Sequence, residues 1–154
     1  MEKATKYKAF FTAIFSFLSS IFGILAIPVI LMVLCNIIEY ITGLLASPYR
    51  NEDINSYKSI RGIIKKVCMW LLVVVGAILD ELIIYAVASF GLTWPFTFMI
   101  ACVVAVWIIC SELISILENL KDIGAPIPTF LLPLVKNIKT QVEDQVKFNS
   151  KEGE

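Results

Sequence analysis

Lys65–Leu92 reads KKVCMWLLVVVGAILDELIIYAVASFGL, and this stretch decides the fold. Two lysines open it, and an apolar run follows from Val67 to Leu79. Asp80 and Glu81 interrupt the run, which resumes from Leu82 to Leu92. A helical crossing of a bilayer needs ~20 predominantly apolar residues. The same reading extends outward in both directions. Ala9–Ile38 is a longer apolar run, flanked by Lys6 and Lys8 before it and Glu39 after it. Trp94–Cys110 is the third, and its helical pattern continues through Ser111 to Lys121. The fold expected is all-α, a polytopic set of transmembrane helices.

The composition agrees. The 154 residues are 58% hydrophobic and 17% charged, with a mean hydropathy of +0.83. Soluble domains run near ~45–50% apolar and ~25% charged. A chain this short leaves much of its surface exposed, so only lipid makes these residues a reasonable surface. The formal net charge is zero and no long basic run occurs, which argues against a nucleic-acid partner.

Punctuation sets the number of crossings. Ala9–Ile38 forms either one tilted helix or two segments, Phe10–Phe22 and Pro28–Ala46, breaking near Gly23–Pro28. Pro28 removes a donor and disfavours helix at Ile27. Three spans are expected, or four segments if that break holds. A lysine-rich start before an apolar run also describes a secretory signal. This run is too long for one and lacks a small-x-small cleavage site. Ser47–Tyr57 (SPYRNEDINSY) is a polar loop, and Pro95 stands at the first turn of the last span. Gly124-Ala-Pro-Ile-Pro128 ends that helix. Residues 1–135 are expected to form a single membrane domain, and 136–154 a polar, flexible tail.

Orientation follows from lysine and arginine counts in short flanks. The loop side, with Arg50, Lys58, Arg61, Lys65 and Lys66, and the C-terminal region together hold ten of the thirteen cations. The turn around Gly91 holds none. The Ser47–Tyr57 loop and the C-terminus are therefore expected in the cytoplasm, whichever side the first residues take.

Carboxylates at membrane depth need a reason, since each costs ~2.5–3.5 kcal/mol at the bilayer centre. Asp80 lies roughly 21 Å along a helix from Lys66. It faces either the outer headgroups, by helix tilt, or a protein- or water-lined interior. Glu112 is expected to reach the inner headgroups, roughly 27 Å past Trp94. Ser111, Ser115, Glu118 and Asp122 form one stripe, read either as a solvated face or as a subunit or pore seam. Glu39, Asp80, Glu81, Glu112, Ser115 and Asn119 are the candidates for a pore-facing or subunit-contact surface. Thr12, Ser16, Ser19 and Gly23 repeat as small residues at helix-packing spacing.

No catalytic or metal site can be assembled, and no enzyme activity or cofactor is expected. The chain has no histidine, no G-x-S-x-G and no phosphate-binding glycine-lysine loop. Cys35, Cys68, Cys102 and Cys110 form no C-x-x-C pair and are read as small hydrophobes. The potassium-filter signature is absent too.

Several blocks are similar to the small phage-lysis and toxin-secretion holins, a family that includes the clostridial toxin-export group. Leu31-Met-Val-Leu34 with Glu39-Tyr-Ile-Thr-Gly-Leu-Leu-Ala46 resembles that family's L-M-V-L-D-Y-I-T-G-L-L-A. Glu39 stands for the usual Asp, and Cys35-Asn-Ile-Ile38 is an insertion. Lys58-Ser-Ile-Arg-Gly-Ile-Ile-Lys-Lys66 resembles the basic K-x-x-x-G-I-x-K-K run, and Asp80 falls where the next span carries an Asp. Ser111-Glu-Leu-Ile-Ser-Ile-Leu-Glu-Asn119 with Gly124-Ala-Pro-Ile-Pro128 resembles N-E-x-I-S-I-L-E-N…G-x-P-I-P, with Ser for Asn at 111. The family's Gly-Gly-Trp-Asp type turn is missing before Ile27. The resemblance implies a protein that gathers in the bacterial inner membrane, partners with itself and with lipid, and opens holes. An endolysin or toxin would leave through them, not necessarily by contact. The alternatives are a non-lytic accessory or antiholin-type subunit, and a small channel, which should show inverted repeats or broken helices at a midplane site.

Overall fold

A computed structural model describes residues 5, 7–13, 16, 23–51 and 56–146, excepting the side chains of 56, 58, 145 and 146. Among these residues every regular element is helical. Residues 7–13 are helical and exposed. A 3₁₀ turn, Gly23–Leu25, leads into α1, Ala26–Ala46, and a second 3₁₀ turn, Ser47–Arg50, closes it. Helix α2 is Ser56–Ser89, α3 is Met99–Ile123 and α4 is Leu131–Val146.

Three helical stretches are long and apolar enough to cross a membrane: Gly23–Arg50, Ser59–Ser89 and Met99–Ile123. In the Gly23–Pro28 stretch, Gly23 has a positive φ of 52°, which suits glycine, and Pro28 sits in the first turn of α1, where its missing N–H costs nothing. The rest of the proposed Phe10–Phe22 segment falls largely outside the described residues.

Helix α3 is the axis, and α1, α2 and α4 each pack on it. Its contact face is small at the top: Ala101 and Ala105 are fully buried and meet Leu25, Met32 and Val73, with Ile108 below them. Gly76 of α2 sets the closest approach. A Cβ there would stand 2.9 Å from the Cα of Ala101. In lipid no hydrophobic force joins helices, so close packing of small residues is what holds them. The outward faces are the apolar ones, with Leu34, Leu45, Leu71, Ile78 and Leu82 all exposed.

Three boundaries differ from the sequence reading. Helix α2 runs unbroken through Asp80 and Glu81, because Asp80 turns inward while Glu81 stays exposed. Helix α3 starts at Met99 and not at Trp94. The chain leaves α2 at Ser89, nine residues beyond Asp80, and returns through non-helical 90–98 before it can meet Asp80 again. Finally, α4 crosses the boundary drawn at 135/136. The polar segment continues a helix that begins among Leu131, Leu132 and Leu134. The stop at Gly124 stands as read: its φ is 89°, and its N–H reaches the carbonyls of Leu120 and Lys121.

Candidate functional site: a polar seam between the spans

Three polar side chains, one from each span, meet inside the helical bundle. Lys66 of α2 places its ammonium 2.7 Å from Glu39 of α1 and 2.6 Å from Glu112 of α3. Glu112 is 4% exposed, so the pair is enclosed by protein. Each group alone would be costly at this depth; together, Coulomb attraction and hydrogen bonding offset the desolvation.

Two turns down α3, Asn119 is also buried. Its amide nitrogen donates to Thr42 Oγ1 at 3.1 Å and to the Glu39 carbonyl at 3.5 Å. Its oxygen accepts from Arg50 Nη2 at 2.8 Å, and Arg50 Nε donates to Asp122 at 2.6 Å. Glu112, Ile116 and Asn119 thus form the buried line of α3. The stripe read from sequence, Ser111, Ser115, Glu118 and Asp122, lies next to it, one residue round the helix. Ser111 and Ser115 are half-buried and donate back to carbonyls of their own helix, at 2.9 and 3.2 Å. Hydroxyls in apolar surroundings commonly satisfy themselves this way.

Asp80 belongs to a second arrangement near the other end of α3. One carboxylate oxygen accepts from the N–H of Ile100 and the other from that of Ala101, both at 2.9 Å. Asp80 is 3% exposed. The first N–H groups of any helix lack partners within it, and their dipole favours a negative charge. Asp80 supplies both, from a different helix, one turn beyond Gly76. Glycine lets the backbones touch, and the carboxylate then reaches the exposed amides.

The candidate residues therefore separate. Glu39, Glu112 and Asn119 come together in one seam within the chain. Asp80 is at the top of α3, Ser115 is turned to its own helix and Glu81 is exposed. Thr12 and Ser16 are exposed, Gly23 begins the turn before α1, and Ser19 lies outside the described residues. Lys66, Arg50, Thr42 and Gly76 were not singled out by sequence. The signal was present for Lys66, a cation flush with an apolar run whose partners had to be carboxylates on other spans. Among the described residues no group of side chains could hold a metal ion.

This geometry defines a class: a polytopic helical membrane protein whose span charges neutralise one another inside a single chain. The sequence profile of the bacteriophage holin family matches residues 16–140, and the chain belongs to that family. It is a multi-pass inner-membrane protein. An uncharacterized protein of Clostridium perfringens strain 13 is 30% identical over 121 residues, covering 79% of this chain and 82% of its own length. A 14.9 kDa uncharacterized protein from the nagH 3′ region of Clostridium perfringens is 31% identical, with 79% and 83% covered. An uncharacterized protein of Listeria innocua is 29% identical over 142 residues, with 92% and 91% covered. No solved structure matches.

Proposed function

We propose that this chain is a hole former: it accumulates in the inner membrane, associates with copies of itself and opens lesions through which an endolysin or toxin leaves. Membership of the holin family supports this reading most. The seam adds a physical argument. A selective channel needs a ring of fixed ligands free to replace an ion's water. Here Glu39 and Glu112 are engaged by Lys66, Asp122 by Arg50 and Asp80 by backbone amides. Such a chain offers a closed bundle with an apolar exterior, suited to lateral crowding in lipid.

Co-expression with a cytosolic endolysin lacking an export signal tests the proposal. Abrupt lysis after an accumulation delay is expected, with cytosolic proteins of endolysin size appearing outside. Release of ions and small solutes alone would replace this reading with a channel. Absence of any permeabilisation on expression alone would favour the accessory, antiholin-type role.

A further inference from the structure

Helices α1 and α2 each pack on α3, and between them a groove of about 370 Å³ stays open, with no residue of α3 lining it. Its walls are mostly apolar: Val33, Ile37 and Ile41 from α1, and Ile63, Val67 and Trp70 from α2. Lys66 lines it too, with its ammonium turned to Glu39 and Glu112. Asn36 also lines the groove and is only 3% exposed. Its amide nitrogen donates to the Met32 carbonyl at 2.7 Å. Its oxygen is buried and has no hydrogen-bond partner among the described residues. On the facing wall Trp70 is exposed, and its indole N–H likewise has no acceptor among the described residues.

The unused acceptor and the unused donor lie at one level. Glu39 and Lys66 meet across the two helices, and Met32 and Val73, seven residues further along each, join one cluster, so α1 and α2 run antiparallel in that register. Asn36 stands three residues before Glu39, and Trp70 four after Lys66. Both are therefore displaced the same way from the ion pair, by about 4.5 and 6 Å. An acyl chain could fill the groove but would satisfy neither group. One water, with its share of ~30 Å³, would leave most of the groove empty. A second copy does both. Copies in one membrane share an orientation, so a two-fold pair turns about the membrane normal and brings equal depths together. A groove holding an acceptor and a donor at one level is then complementary to itself. The indole suits it, with an apolar ring to fill the space and one N–H to donate. Hydrogen bonds from such amides are among the forces that join helices in lipid.

We propose that the groove between α1 and α2 is a pairing face for a second copy of this chain: Trp70 of each copy enters the groove of the other and donates to Asn36 Oδ1 there. This rests on the self-association in the hole-forming reading, not on the lesions, and names the face through which two copies meet. The Lys66 seam stays closed in the pair. Each of the two bonds takes one residue from either copy.

That reciprocity supplies the test. Full chains labelled at the C-terminus with donor or acceptor dyes are reconstituted at graded dilution in phosphatidylcholine–phosphatidylglycerol vesicles holding dextran. Energy transfer reads pairing, and dextran escape at high density reads leakage. Trp70→Phe and Asn36→Leu each remove both bonds of a symmetric pair. At about threefold per interhelical bond in lipid, each should weaken pairing about tenfold. A mixture of the two variants keeps one bond, between Asn36 of the Trp70→Phe copy and Trp70 of the Asn36→Leu copy. Mixed pairs should therefore form about threefold more tightly than either variant pairs with itself. A damaged fold gives no such preference. Wild-type copies that do not pair overturn the proposal. So do mixed pairs no tighter than unmixed ones, which would leave the groove to lipid or water. Should Asn36→Leu fail to insert, wild-type pairing in Trp70→Phe alone overturns it, since that ring lies on the exterior. Pairing as expected with no dextran escape at any density upholds the face and overturns the hole-forming reading. Leakage with pairing unchanged in the variants does the reverse.

Discussion

Asp80 shows how a residue that looks out of place can be explained by its partners. An ionised carboxylate inside a span is costly, and so are the free N–H groups of a helix that begins inside one. Each removes the other's cost, and Gly76 is what allows them to meet. Asp80→Asn retains one acceptor and should lose about 1–3 kcal/mol, the usual cost of an unsatisfied buried group. Asp80→Leu should lose more and delay permeabilisation, with membrane insertion unchanged. Gly76→Val drives side-chain atoms into the backbone of Ala101 and should cost a further ~1–3 kcal/mol alone. Because both changes disrupt one contact, the double variant should be clearly less destabilised than the sum of the singles. Unfolding in detergent micelles measures all three. Additive losses would mean that glycine and carboxylate act on α3 independently.

At the scale of helices, Lys66 ties α1, α2 and α3 together with two carboxylates. Lys66→Met leaves those carboxylates facing each other without a cation, and a loss of ~3–5 kcal/mol is expected, the range for breaking one side of a buried ion pair. Adding Glu39→Gln and Glu112→Gln to Lys66→Met should recover most of it, since neutral amides can share hydrogen bonds. A triple variant no more stable than Lys66→Met would show that the seam's charge is not what Lys66 serves. The spans themselves were legible from apolar run length, because lipid imposes that length directly. The late start of α3 was not, since Pro95 fits a first helical turn as well as it fits the extended return that precedes Met99. Glu112 and Asn119 were named as candidates, but their partners are 46 to 80 residues distant along the chain. A stripe drawn one residue aside still looks regular, because i, i+4, i+7 spacing holds for neighbouring faces alike.

For the molecule as a whole, the proposed orientation puts the 3₁₀ turn at Ser47–Arg50 and the base of α3 in the cytoplasm. Arg50, Lys58, Arg61, Lys65 and Lys66 cluster at that end of the bundle in sequence. Cysteine introduced at Asn51, which is exposed in a left-handed turn, or at Ser150 should resist a membrane-impermeant thiol reagent in intact cells. Labelling of either before lysis would reverse the assignment. The alternating sides of the three candidate spans among the described residues then follow from one measurement, as those helices are continuous between the loops.

The unequal lengths of the helices also act on the bilayer. At ~1.5 Å per residue, α2 is about 51 Å long and α3 about 37 Å. The first turns of α2 are basic, and its apolar part, Val67–Ser89, is about 35 Å long, so that flank of each copy stretches or tilts against a hydrocarbon layer of ~30 Å and deforms the lipid beside it. Placing tall flanks side by side shares one deformation among several copies. Elastic relief of this kind draws molecules together without any contact specified by side chains, and its strength is set by the membrane. Reconstitution in lipids of increasing acyl-chain length should therefore raise the surface density at which vesicles begin to leak. A threshold that ignores chain length would assign clustering to the protein's own faces alone.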